Sequence, residues 1–131
     1  MTGGEIDPSR RPADEPAAVP PDPANPYGAL TPAALQRSLR SAVFGHRIFY
    51  YPTIGSTNER ALELAAAEEP EGGLVLAEEQ TAGRGRRERT WCSPAYAGIY
   101  ATLILRPAIA APRAPLLTFM AAVAVADALN E

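Results

Sequence analysis

Proline decides how much of this chain can fold. Half of its 14 prolines fall in the first 27 residues, MTGGEIDPSRRPADEPAAVPPDPANPY, among almost no large apolar side chains. Each proline fixes a dihedral and removes a backbone donor. A segment this poor in apolar surface cannot offset the entropy lost on ordering it. Residues 1–27 are therefore expected to form a disordered tail, which leaves 28–131 to supply any core. Roughly a hundred residues is near the lower comfortable size for independent folding, so the expectation is one small domain.

Within 28–131 the elements alternate. Thr31 and Pro32 read as the N-cap and first residue of a helix, with Leu35, Leu39 and Val43 on one face. RIFYYPTI is β-branched and aromatic and reads as a strand that ends or bulges near Pro52. STNERALELAAAEEPEGG is the clearest helix. Ser56 and Glu59 have the spacing of a capping box, and Pro70, Gly72 and Gly73 stop the helix. LVLAEE reads as a short apolar strand. AGIYATLILRP reads as a second strand, apolar on both faces and so expected to be central or covered on both. From Pro115 a last helix carries Leu116, Met120, Val123 and Ala124 in a stripe broad enough to bury most of its circumference. The order helix, strand, helix, strand, loop, strand, helix predicts an α/β or α+β layer. The closing ADALNE stops where a helix would hand over to a strand, which reads as a piece of a domain.

Several functions are disfavoured. The single cysteine, Cys92, rules out an intrachain disulfide and a thiolate metal cluster. The single histidine, His46, rules out most zinc sites and reads as solvated in a turn before a strand. There is no apolar leader of the signal-peptide type. LLTFMAAVAVADAL is shorter and richer in alanine than a membrane span, so a soluble cytoplasmic protein is expected. The formal net charge of −3 gives no global attraction to nucleic acid or anionic membrane.

Against that acidic background, EEQTAGRGRRERTW gathers four arginines and two glycines. Alternation at Gly83-Arg84-Gly85-Arg86 lets Arg84 and Arg86 project together while the glycines free backbone N–H groups to form an anion-binding nest. Two apolar strands flank the stretch and would fix it at the rim of a sheet, where function concentrates. A solvated basic loop is the plainer alternative. The pattern lacks the Gly-Lys-Ser/Thr ending of a P-loop and the following helix of a dinucleotide fingerprint. Upstream, in GSTNERA, Ser56 reads as a cap, and Ser56, Thr57 and Asn58 could also hold a polar head group at the helix N-terminus. Trp91 is either core, the preferred reading, or a cover for a ligand ring. Cys92 has no base nearby in sequence to activate it.

Ser56-Thr57-Asn58 opening a helix, then AEEQTAGRGRRERTWCSPAYAGIYATLILRP about twenty residues on, closely resembles the biotin protein ligases, the biotin–[acetyl-CoA-carboxylase] ligases. The resemblance rests on Gln-x-x-Gly-Arg-Gly-Arg-x-x-Arg-x-Trp and runs from about residue 48 to the end of the chain. It implies an α+β fold of the class II synthetase-like type, a mixed sheet packed with helices, shared with lipoate ligases and octanoyltransferases. It implies that biotin and ATP, with Mg²⁺, give biotinyl-5′-AMP, and that biotin then passes to a lysine of a biotin carboxyl carrier protein of acetyl-CoA carboxylase or a related carboxylase. By matching position, Ser56, Thr57 and Asn58 would contact the biotin ring system and Gln80 would line the same pocket. Gly83, Arg84, Gly85 and Arg86 would fold over the adenylate, with Arg84 and Arg86 as its catalytic charges. No Mg²⁺ ligand is identifiable. The residue types agree with that chemistry, because a carboxylate attacking a polyphosphate needs positive charge to offset repulsion and an acyl-adenylate needs shelter from water.

The resemblance also implies parts that this sequence lacks. The family's Lys-Trp-Pro-Asn-Asp motif would follow shortly after Glu131, and a small C-terminal β-barrel would come later still. The tail has no apolar periodicity for a winged helix, so a DNA-binding domain is not expected. The chain reads as the N-terminal part of a catalytic domain, and by itself it is expected to be inactive. Two alternatives stay open. One is an enzyme of the same superfamily acting on lipoate or octanoate. The other is a non-catalytic anion-binding module, which the acidic composition and the lack of interleaved aromatics disfavour.

Overall fold

The structure is a computed structural model that describes residues 31–130 apart from Arg86 and Glu88. The expected tail at 1–27 lies outside the described residues. The elements in order are α1 (Pro32–Ser38), β1 (Ile48–Ile54), α2 (Thr57–Ala66), β2 (Leu74–Gln80), β3 (Tyr100–Leu103) and α3 (Leu116–Leu129), with a 3₁₀ turn at Ala111–Arg113. Among the described residues the sheet runs β1-β2-β3. β1 and β2 are parallel and β2 and β3 antiparallel. A parallel pair needs a crossover, and α2 supplies it. The result is the expected α+β layer, a mixed sheet packed with helices.

Alternation along β1 divides the core between two faces. Phe49 packs with Val75 of β2, Ala61 and Leu64 of α2, and Ile104. Ile48 and Tyr50 pack with Leu76 on the other face, where Leu35 of α1 covers them. Val75 is fully buried. The Tyr50 hydroxyl donates to Glu78 Oε1 at 2.8 Å. Burial, reinforced by that bond, raises the phenol well above the usual tyrosine range.

Arg106, just past β3, holds the far end of α2. Its Nη2 donates to Ala65 O at 2.7 Å and to Glu69 O at 2.8 Å. Last-turn carbonyls have no intrahelical partner and sit at the negative end of the helix dipole, so a cation there is favourable. The buried Glu69 carboxylate in turn accepts from Arg47 Nη1 at 2.7 Å.

Four sequence expectations need correction. First, β1 neither ends nor bulges at Pro52. Its register passes from Tyr51↔Ala77 to Thr53↔Glu79, because β1 is an edge of the described sheet, where a missing donor is tolerated. Second, α1 stops at Ser38 and Leu39 is extended (φ −67°, ψ 131°), so Leu39 and Val43 leave the helical face of Leu35. Third, β3 is a four-residue edge of the described sheet and β2 is the centre. Ile99, Leu103 and Leu105 are exposed, since an apolar run shows what could be covered but not what covers it. Fourth, α3 forms as expected but buries none of its residues, for the same reason. Ala111–Leu129 is also long and apolar enough to cross a membrane by length and composition alone. The sequence reading finds this run shorter than a span because it counts only the 14 residues Leu116–Leu129; length and composition alone are weak evidence for a span.

Candidate ligand-binding cleft

The parallel register continues past the strand ends. Thr81 N–H donates to Ile54 O at 2.9 Å and Ala82 N–H to Gly55 O at 2.8 Å. These bonds set Gln80, the last residue of β2, beside the turn from β1 into α2. Ser56 occupies the N-cap position in extended conformation (φ −154°, ψ 130°), but its side chain makes no capping bond. The expected capping box does not form. Gln80 Oε1 takes its place, accepting from Thr57 N–H at 2.8 Å and from Thr57 Oγ1 at 3.0 Å. Both lone pairs of that oxygen are then used.

The network spreads from Gln80. Its Nε2 donates to Ser93 Oγ at 3.2 Å. Thr102 Oγ1 of β3 lies 3.0 Å from Thr57 Oγ1 and 2.9 Å from Asn58 Oδ1. A hydroxyl has one proton and can serve only one of these acceptors. If the Asn58 amide is turned to donate, a single relay runs from Asn58 through Thr102 and Thr57 to Gln80. Ser56, Thr57 and Ser93 are all buried, so the floor is polar and shielded from water.

The glycine-arginine stretch is an ordered excursion between β2 and β3, where the sequence reading had a plain loop. Gln80 pairs with Ser93 and Arg84 with Thr90 as antiparallel bridges. Trp91 N–H donates to Gly83 O and Gly85 N–H to Arg89 O, each at 2.7 Å. Neither Gly83 nor Gly85 has the positive φ that an anion-binding nest alternates. Gly83 serves a different need. A Cβ there would sit 2.6 Å from Trp91 O and 2.9 Å from Ser93 Oγ, so only glycine lets the two arms close. At Gly85 the nearest atom to a Cβ would be at 3.4 Å, which is ordinary contact. At the tip Arg87 takes a left-handed φ of 59°.

The excursion carries Arg84 and Trp91 to the cleft. Arg84 Nη2 pairs with Glu59 Oε1 of the first turn of α2 at 2.7 Å. Trp91 is 63% exposed, which overturns the core reading and leaves it as a wall. A cavity of about 200 Å³ opens here, lined by Ser56, Thr57, Asn58, Gln80, Arg84, Trp91, Ile99, Tyr100, Ala101 and Thr102. Of the residues singled out from sequence, Ser56, Thr57, Asn58, Gln80 and Arg84 meet at this cleft. Gly83 and Gly85 stand behind it as parts of the hairpin, and Arg86 lies outside the described residues. Sequence reasoning missed Thr102, Tyr100, Ser93 and the Glu59 partner of Arg84. Thr102 carried a signal, as the one hydroxyl of an aliphatic kind in the run IYATLIL. Among the described residues no three His, Cys, Asp or Glu gather as a metal site would need. Cys92 is free and exposed.

A mixed sheet whose strand end and helix start share a polar cleft beside an arginine-bearing hairpin makes this an α+β domain with a candidate small-molecule site. Residues 50–131 match the biotin/lipoate A/B protein ligase family, and the chain belongs to that family. It is 42% identical over 104 residues to the bifunctional ligase/repressor BirA of Bacillus subtilis (strain 168), covering 79% of this chain and 32% of that protein. Against BirA of Bacillus spizizenii the identity is 44% over 103 residues, with 79% and 32% covered. The biotin–[acetyl-CoA-carboxylase] ligase of Paracoccus denitrificans is 51% identical over 77 residues, 57% of this chain and 30% of that ligase. The chain thus spans about a third of the length of the curated relatives it matches.

Proposed function

We propose that this chain carries the biotin-recognising and adenylate-covering part of a biotin protein ligase. The observation that carries the reading is the polar floor made by buried Thr57 and Ser93 with half-buried Gln80 and Thr102. The ureido head of biotin offers one carbonyl acceptor and two N–H donors, and a floor of hydroxyls and amides can meet both kinds. The dithiolane of lipoate and the alkyl chain of octanoate offer neither, so they would forgo the hydrogen bonds that biotin can make here, each worth about 0.5–1.5 kcal/mol. The names of the relatives, ligases that include one for acetyl-CoA carboxylase, support the same reading.

In this reading Ser56, Thr57, Asn58 and Gln80 hold the head group, and the valeryl carboxylate points to the rim. A carboxylate oxygen attacks the α-phosphorus of ATP, the bond to the β-phosphate oxygen breaks, and pyrophosphate leaves. Arg84, joined by Arg86, offsets the negative charge that gathers as the two anions meet. Gly83 and Gly85 let the hairpin order over the biotinyl-5′-AMP and keep water from the mixed anhydride. The amine of a lysine on a biotin carboxyl carrier protein then attacks the biotinyl carbonyl, the bond to the phosphate oxygen breaks, and AMP and a proton leave, in the cytoplasm. Mg²⁺ would arrive on the ATP phosphates, the usual mode for that ion, and no residue described here is assigned to it.

The test is the fluorescence of Trp91, the sole tryptophan, on adding biotin, lipoate or octanoate to the 131-residue chain. Saturable binding of biotin, with at least about tenfold weaker binding of the other two, is expected from the hydrogen bonds they forgo. Equal affinity for octanoate would refute the reading.

A further inference from the structure

We propose that Glu59 is a resident counter-ion for Arg84, displaced when an anionic ligand enters, and that Glu59 thereby sets the anion affinity of the cleft. The identity of the ligand rests on the biotin reading above; the counter-ion role does not. Arg84 lines the cleft, yet its guanidinium is already engaged by Glu59 at 2.7 Å. Any carboxylate or phosphate that reaches Arg84 must replace that partner or share it, against the repulsion of the Glu59 charge.

Three observations make the exchange workable. The Arg84 and Glu59 side chains are 71% and 45% exposed, so water weakens the pair and it opens readily. Glu59 is turned to Arg84 and takes no part in a capping box, whose serine half is not formed. Once released, Glu59 stays in the first turn of α2, where the helix dipole favours a carboxylate. Displacement therefore leaves no buried charge stranded. Until a ligand arrives, the pair ties the arginine hairpin to α2 across the mouth of the cleft.

The experiment compares the 131-residue chain with Glu59→Gln and with the double variant Glu59→Gln/Arg84→Met, by Trp91 fluorescence at constant ionic strength. The probes are inorganic phosphate, biotin, and uncharged biotinamide. Removing an exposed competing charge should tighten phosphate and biotin about threefold to fivefold. Biotinamide should bind the parent and Glu59→Gln equally, and the double variant should lose the tightening. Phosphate tightening without any response to biotin or biotinamide would retire the biotin reading and leave the counter-ion role standing. An unchanged or undetectable phosphate response in Glu59→Gln would overturn the role. So would equal tightening of biotin and biotinamide, or tightening that persists without Arg84.

Discussion

At the floor of the cleft Ser56, Thr57 and Ser93 keep 3–5% of their surface. At the rim the Arg84 side chain keeps 71% and Trp91 63%. The floor is held by a web in which Gln80 alone meets Thr57 twice and Ser93 once. In the rim, the Arg84 side chain is held by an exposed ion pair to Glu59. The two regions differ in what a change would cost. A floor residue is tied to the fold, so it fixes shape before any ligand arrives. A rim residue is loosely held and can change partners, as a loop that must open and close requires.

The comparison breaks most sharply at Gln80. Gln80→Leu strands Thr57 N–H and the Ser93 hydroxyl, and the expected loss is about 2–4 kcal/mol of stability, together with biotin binding. Denaturant unfolding and Trp91 titration measure the two. An unchanged midpoint would mean that water replaces the amide and that the floor is no firmer than the rim.

A pH titration extends the contrast to the sheet face under α1, away from the cleft. The Tyr50 phenol is raised when folded. Its stabilisation is complete below the unfolded value of about 10 and is lost as pH rises from there through the folded value, by at most about 1.4 kcal/mol per pH unit. Unfolding free energy measured above pH 10 should fall faster in the parent than in Tyr50→Phe. Parallel curves would remove Tyr50 from the account. Thr102→Val, nearly isosteric, should cost about 1 kcal/mol and should weaken biotin. Arg84→Met should change stability by less than about 1 kcal/mol while weakening biotin relative to biotinamide. If Arg84→Met unfolds the chain more than Thr102→Val does, the distinction between floor and rim is wrong.

Much of this arrangement was legible in the residues. The helix after Ser56 and the strands on either side of it follow from local pattern, and the motif singles out Gln80 and Arg84, which meet that helix at one cleft. What escaped is pairing between distant segments. Ser56 and Glu59 have the spacing of a capping box, and nothing local says that the serine side chain would make no capping bond, that Gln80 would reach the Thr57 N–H instead, or that an arginine would claim the glutamate. The exposure of Trp91, Leu103 and the whole of α3 was hidden for a related reason. Apolar character records an affinity for burial, and burial depends on what else is folded beside it.

The borrowed cap on α2 has a consequence for the order of folding. A helix that begins with its own serine can nucleate while the rest of the chain is still searching. The first turn of α2 has no such local start, because its amide at Thr57 finds its acceptor only on Gln80. Bringing the two together closes a loop that spans all of α2 and β2, and the entropy of that closure must be met before the cap forms. The beginning of the helix is thus late-forming and its end, over Leu64, can form early. In mutational kinetics, substitutions at Gln80 should act mainly on the unfolding rate, so that the residue that shapes the floor of the cleft also governs how long the cleft persists once made.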